Sequence, residues 1–273
     1  MEALVIHWSL DPVLCRVGDW SLRWYTTLMV CTMIGAWFFA GWCARREGVS
    51  KEVSLPLAFW LLIGFQFGGK LGYRYFYAAG DFSGFSSFGC AAGFLLVTWL
   101  FAATTGRRKD MSFLWVLDRL MLCSSFCFLP IRFGNFCNSE LCGTPTDLPW
   151  GVVFERLGDG IPRHPVQLYE GVALTVLALV LLWLYLHRYD KLSRGQLSAL
   201  FFTVVSPVRF LTEFVKEAEN YVDFGAFSLR TAQVLCIPLF ALGIGILLHA
   251  RRHPAPMRLR TISTKKSGEL PDS

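Results

Sequence analysis

Val166-Gln-Leu-Tyr-Glu-Gly-Val-Ala-Leu-Thr-Val-Leu-Ala-Leu-Val-Leu-Leu-Trp-Leu-Tyr-Leu186 reads as one membrane span. Helical rise carries such a run across roughly 30 Å of hydrocarbon. Its single charged side chain, Glu170, sits near its start, and an acid at that depth is costly unless it pairs or serves a site. Similar runs recur on both sides of it. Spans are expected near Trp24 to Ala44, Val53 to Gly72, Phe85 to Thr104, Met111 to Pro130, Gly195 to Phe214 and Ser228 to Ala250. With 54% hydrophobic and only 17% charged residues, the composition argues against a soluble protein. The fold class is therefore an all-α integral membrane protein of about seven transmembrane helices with an outward-facing loop region.

Lysines and arginines orient it. Arg45, Arg46 and Lys51 follow span one, Arg107 to Lys109 span three, Arg188 to Arg194 span five, and Arg251 to Lys266 span seven. Positive loops stay in the cytoplasm, so the N-terminus faces outward and the C-terminus inward. About two dozen residues without a basic n-region precede span one, and no small-residue cleavage site follows it, which argues against a cleaved signal peptide. Residues 1–253 form a single polytopic domain, and 254–273 a basic, disordered cytoplasmic tail that rests on anionic lipid.

Residues 1–23 read as an interfacial arm, Tyr73–Tyr77 as an aromatic belt after span two, and Asp81–Gly89 as a re-entrant or mobile loop. Gly64 to Gly72 offers small residues for close helix contact. Trp150–Phe154 suits a short strand within the long outward loop 131–165. The nine cysteines are scattered without a C-x-x-C pair and read mainly as small buried hydrophobes; Cys137 and Cys142 are close enough on the outward side for a disulfide. The five histidines show no ligand spacing, so no metal is expected.

The chemistry should lie in Arg132-Phe-Gly-Asn-Phe-Cys-Asn-Ser-Glu140 and His164-Pro-Val-Gln-Leu-Tyr-Glu170. Arg132 falls just beyond span four. Arg209 lies in span six, and Glu213 is one turn later on the same helix face. That pair is either a structural brace or part of a site in which Arg132 and Arg209 hold a phosphate, whose oxygens match guanidinium forks. Asn135 and Asn138 share a helical face with Arg132 and either reach a polar headgroup or staple the loop. Glu140 is read as orienting an arginine, with a general base second. Gly134 and Gly143 suggest close backbone approach or positive φ. Gln167 and Glu170, three apart, can reach the cavity of Arg132, while His164 anchors the loop or joins the chemistry.

Together these residues resemble the bacterial prolipoprotein diacylglyceryl transferases. The match is carried by Arg132 to Glu140 with Gly143, by His164 to Glu170, by Arg209-Phe-Leu-Thr-Glu213-Phe, by Arg23-Trp-Tyr25, and by Gly69-Lys-Leu-Gly-Tyr73 with Phe76-Tyr77. It runs from about Ile6 to His249. The resemblance implies a seven-span enzyme of the bacterial inner membrane that moves the diacylglyceryl group of phosphatidylglycerol onto the lipobox cysteine of a prolipoprotein signal peptide. A thioether forms and glycerol phosphate leaves. No cofactor is implied, and the partners are these two substrates and membrane lipids, with no nucleic acid. Arg132 and Arg209 would hold the phosphate, with Glu213 and Glu140 orienting them. Tyr25, Asn135 and Asn138 would position the headgroup, and Gly143, Glu170 and Lys70 belong to the same lipid site.

Two departures bear on activity. Phe88 stands where the family usually carries a histidine proposed as base, and Lys70 replaces an arginine, keeping charge but losing the bidentate fork. Thr26 also takes the place of a glycine. Either the histidine is dispensable, or His164 or Glu140 supplies the base, or the chain is a divergent paralogue that binds phospholipid without the usual activity. A transporter, with midplane charges on a helix broken by Pro207, is a further alternative; no inverted repeat supports it.

Overall fold

The computed structural model describes residues 5–76, 86–217, 221–225 and 228–259. Strands β1 (Ile6–Trp8), β2 (Val13–Val17) and β3 (Trp20–Arg23) lead into helices α1 (Trp24–Arg46), α2 (Lys51–Phe76), α3 (Ser87–Ala103), α4 (Phe113–Ser125) and α5 (Phe128–Cys137). Then come β4 (Val152–Phe154), β5 (Pro162–Arg163), α6 (Val166–His187), α7 (Gln196–Thr212), β6 (Tyr221–Asp223), β7 (Ser228–Arg230) and α8 (Thr231–Arg252). Six helical segments are long and apolar enough to span a bilayer, α4 and α5 counting as one, and α3 is a shorter apolar helix. The chain is a multi-pass membrane protein of about seven helices.

Four boundaries depart from expectation. First, α2 runs on through Tyr73 to Phe76, so that aromatic run is helical. Second, span four continues to Cys137, which puts Arg132 inside a helix. The interruption between α4 and α5 has a local cause: Pro130 has no N–H for the Phe126 carbonyl, and its ring crowds that carbonyl. Third, the N-terminal arm is built into sheets: β1 pairs in parallel with β4, β4 pairs with β5, and β2 and β3 form a hairpin. Fourth, the tail begins docked, with Met257 only 1% exposed. Most of the Asp81–Gly89 loop lies outside the described residues, and from Ser87 the chain is already α3.

Helix α4 is the buried centre, with Trp115 to Cys123 enclosed. Leu117 and Leu122 pack with Leu174, Leu181, Leu197 and Phe202 from α6 and α7. Asp118, fully buried, caps α7: its carboxylate accepts from the N–H groups of Gly195 (2.6 Å) and Ser198 (2.8 Å) and from the Ser198 hydroxyl (2.7 Å). A carboxylate at a helix N-terminus satisfies amides that would otherwise stay open. Large apolar side chains such as Phe38, Phe59, Phe67, Trp99 and Val176 remain exposed, as lipid-facing surfaces should.

The small residues of Gly64–Gly72 work as read. A Cβ at Gly93 would lie 2.0 Å from the Gly64 carbonyl oxygen, and one at Gly68 would lie 2.4 Å from that of Gly89. Backbone-to-backbone contact between α2 and α3 fixes where α3 starts, and hence where Phe88 sits. Ser86 holds that start, accepting from Gly89 N–H and donating its own N–H to the Gly69 carbonyl (3.0 Å).

Two polar poles result. At one, the start of α1 meets α5, where Tyr25 packs against Gly134. At the other, some 35 Å along α1, Glu47 receives Arg119 (2.6 Å) and the Tyr185 hydroxyl (2.7 Å). Arg194 there donates to the Pro256 carbonyl (2.8 Å) and pairs with Asp110 (3.0 Å).

Candidate active site

At the first pole a buried acid from α6 joins two arginines from other helices. Glu170 is 1% exposed; its Oε2 lies 2.5 Å from Arg132 Nη2 on α5 and 3.5 Å from Arg209 Nη1 on α7. The Thr212 hydroxyl donates to the remaining oxygen at 2.8 Å. A single carboxylate thus orients both guanidinium groups, at depth, with its own lone pairs engaged. This corrects the expected partnership of Arg209 with Glu213. Helix α7 ends at Thr212 and a 3-10 turn, Glu213–Val215, follows. Glu213 caps α7 with its N–H still bonded to the Arg209 carbonyl, but its side chain takes a different partner.

Glu213, 4% exposed, lies instead 3.6 Å from the ammonium of Lys216, itself buried. Its Oε1 has no hydrogen-bond donor. Arg209, Glu170, Arg132 and Glu213 remain within electrostatic range of one another. Among the described residues, three cations, Arg132, Arg209 and Lys216, gather around two carboxylates, Glu170 and Glu213.

The other expected residues divide. Tyr25 feels the charges of Arg132 and Glu140 and packs on Gly134, where a Cβ would lie 2.9 Å from its ring; the glycine is there for close approach. Asn135 is buried on α5 beside Arg132. Asn138 caps α5 and its amide donates to Glu140 (3.2 Å). Glu140 is exposed and pairs with neither arginine, a correction to its expected orienting role. Positive φ at Ser139 and Leu141 turns its side chain outward from the helix end.

Gly143 is enclosed: a Cβ there would lie 2.5 Å from His164 Cβ and 2.6 Å from the Val215 carbonyl. Its N–H donates to the His164 carbonyl (2.9 Å), and Thr144 N–H to that of Val215 (2.8 Å). The loop is therefore laced to the end of α7. Gln167 does not reach the arginines; it donates to the Glu140 carbonyl (2.6 Å) and staples the loop. His164 Nδ1 lies 3.2 Å from the Tyr169 hydroxyl, which also accepts from Trp150 Nε1 (2.8 Å). With its proton on Nε2, that imidazole has its free nitrogen already occupied, which favours the anchoring reading. Lys70 lies on α2, outside the ion pairs of Glu170.

Phe88 enters the site. Its ring centroid is 5.6 Å from the Arg209 guanidinium carbon, and it packs with Ala232 and Cys236. An aromatic face holds a guanidinium without competing for its hydrogens. Cys137 and Cys142 are both free and buried, and burial pushes the Cys142 thiol above its ordinary range. Outside the membrane, Arg163 joins Asp159 (2.7 Å) to Glu217 (3.3 Å) and holds the Asp159 carboxyl below the usual range.

Sequence reasoning missed Thr212 and Lys216. Both sat in plain spacing, three residues after Arg209 and Glu213, but a threonine and a lysine near a helix end carry no chemical signature of their own.

A family model described as prolipoprotein diacylglyceryl transferase matches residues 12–249. Among similar proteins, the phosphatidylglycerol–prolipoprotein diacylglyceryl transferase of Bordetella bronchiseptica is 33% identical over 90% of this chain and 98% of its own length. Those of Tolumonas auensis (32%; 92% and 100%) and Nitratidesulfovibrio vulgaris (34%; 89% and 94%) are comparably close. With that coverage, and with Arg132 and Arg209 of two of these motifs meeting on Glu170 of a third, the chain belongs to the prolipoprotein diacylglyceryl transferase family.

Proposed function

We propose that this protein transfers the diacylglyceryl group of phosphatidylglycerol to the lipobox cysteine of a prolipoprotein signal peptide, in the bacterial inner membrane with its N-terminus and site outward. The observation that carries the reading is the pair Arg132 and Arg209 held together on the buried Glu170. Guanidinium groups so placed bind the phosphate and stabilise the charge that grows on it as the carbon–oxygen bond breaks. Tyr25, Asn135, Asn138 and the Gly143 loop frame the headgroup.

The thiol has to lose its proton as its sulfur attacks, since only a small fraction is ionised at neutral pH. Phe88 cannot take it. We assign that role to Glu213, buried beside the arginines yet claimed by neither, with one oxygen lacking a donor. Sulfur then bonds to the glyceryl carbon, the electron pair of the broken bond leaves with the phosphate oxygen, and the proton passes to Glu213 and on to water. Glycerol phosphate departs.

The test is direct. Purified protein incubated with phosphatidylglycerol and a lipobox peptide should add one diacylglyceryl mass to the peptide. Arg132→Ala and Arg209→Ala should each lower kcat by about 100-fold or more; full activity in Arg132→Ala would sink the phosphate assignment. Glu213→Gln should lower kcat with little change in KM.

A further inference from the structure

At the opposite pole, α1 and α2 diverge from the turn that joins them, and the wedge between them and α4 encloses a cavity of about 130 Å³. Trp37, Ala40, Val53, Leu57, Leu61 and Leu120 give it an apolar wall. Glu47 and Arg119 close it, but they are engaged: Arg119 makes hydrogen bonds of 2.6 to 3.1 Å to both oxygens of Glu47, and Tyr185 adds another to that acid. Apart from the Ser54 hydroxyl, the rest of the lining is apolar or sulfur-bearing. Its rim differs. Gly41 lines the cavity, and Arg45 folds back so that Nη1 lies 3.6 Å from where a Cβ of Gly41 would be. Lys51, exposed, opens α2 on the other side of the wedge. Among the described residues, neither Arg45 nor Lys51 pairs with a carboxylate.

An apolar slot within a membrane span, flanked by two cations that among the described residues have no carboxylate pair, matches one occupant in chemistry and place. We propose that this wedge binds an anionic phospholipid of the surrounding bilayer, its phosphate on Arg45 and Lys51 and part of one acyl chain between α1, α2 and α4. An arginine that only sets topology has no need to fold back onto the helix face that lines a cavity. The slot lies near the end of α1 remote from Tyr25, about 30 Å from the arginine pair, so it is a second lipid position, independent of the proposed reaction.

Native mass spectrometry of the purified full-length protein tests it, titrating dioleoyl-phosphatidylglycerol against dioleoyl-phosphatidylcholine. Wild type should retain a second phosphatidylglycerol beyond the one at the arginine pair. Arg45→Ala, on the surface, should weaken that second binding about fivefold. Ala58→Trp, filling the slot, should abolish it. Both variants should keep transfer activity, which also certifies their fold. Unchanged second-lipid binding in Arg45→Ala would overturn the proposal. So would equal retention of phosphatidylcholine, since the slot would then accept any chain without reading a headgroup.

Discussion

Phe88 stands where the resemblance leads one to expect a histidine, and its ring against Arg209 gives the position a physical meaning. An imidazole there would offer a proton acceptor. A phenyl ring offers a cation–π contact, about 0.5–2 kcal/mol, and a dry wall. Phe88→Leu should therefore fold but slow transfer several-fold, because Arg209 loses its rest. Phe88→His should match or exceed wild type in alkaline buffer and fall as pH drops. The sign follows from charge: a protonated imidazole would set a second cation against Arg209 and repel it, whereas the neutral ring would not. A pH–kcat profile of the two variants beside wild type checks both; a flat Phe88→His profile would show that position 88 does not influence Arg209.

Among the elements, the contact of α2 with α3 decides whether Phe88 arrives at all. Gly93→Ala has to push apart two backbones, since its methyl would sit 2.0 Å from a carbonyl oxygen. It should lower the thermal midpoint in detergent and the transfer rate together. Gly35→Ala in α1 and Gly245→Ala in α8, where nothing lies within 4 Å, should leave both unchanged or slightly improved. The same contrast explains what the sequence could convey. Spans were legible because a bilayer demands a long apolar run wherever the chain crosses it, and Gly64 to Gly72 was legible because small residues at helical spacing have few other uses. The arginines stood out as charges at depth. Glu170 was legible as an acid at depth able to reach the cavity of Arg132, but its pairing with Arg209, 39 residues away, was not, because helical spacing pointed to Glu213. The strands β1, β2 and β3 escaped because three to five residues around turns leave no periodicity to read.

For the whole molecule, the two poles divide the labour, and the remote one is closed by the chain's own segment after α8. Trp115 Nε1 donates to the Met257 carbonyl (3.0 Å), Arg119 Nη2 to the same oxygen (3.2 Å), and Arg194 Nη2 to that of Arg258 (3.1 Å). Ending the chain at His253 would remove these acceptors and the buried Met257 side chain at once. Arg119 and Arg194 would keep Glu47 and Asp110, but Trp115 and the backbone of Arg194 would lose their partners in a buried setting. Each such loss costs about 1–3 kcal/mol, and emptying the Met257 site adds about 2–5 kcal/mol. A chain ending at His253 should therefore melt well below wild type, whereas one ending at Leu259 retains every one of these contacts and should melt with it. Because the arginine pair is some 35 Å away along α1, transfer per folded molecule should be the same in both. Melting curves paired with single-turnover transfer separate the two quantities; a loss of transfer in the His253 chain while it is still folded would mean that the poles are coupled through α1.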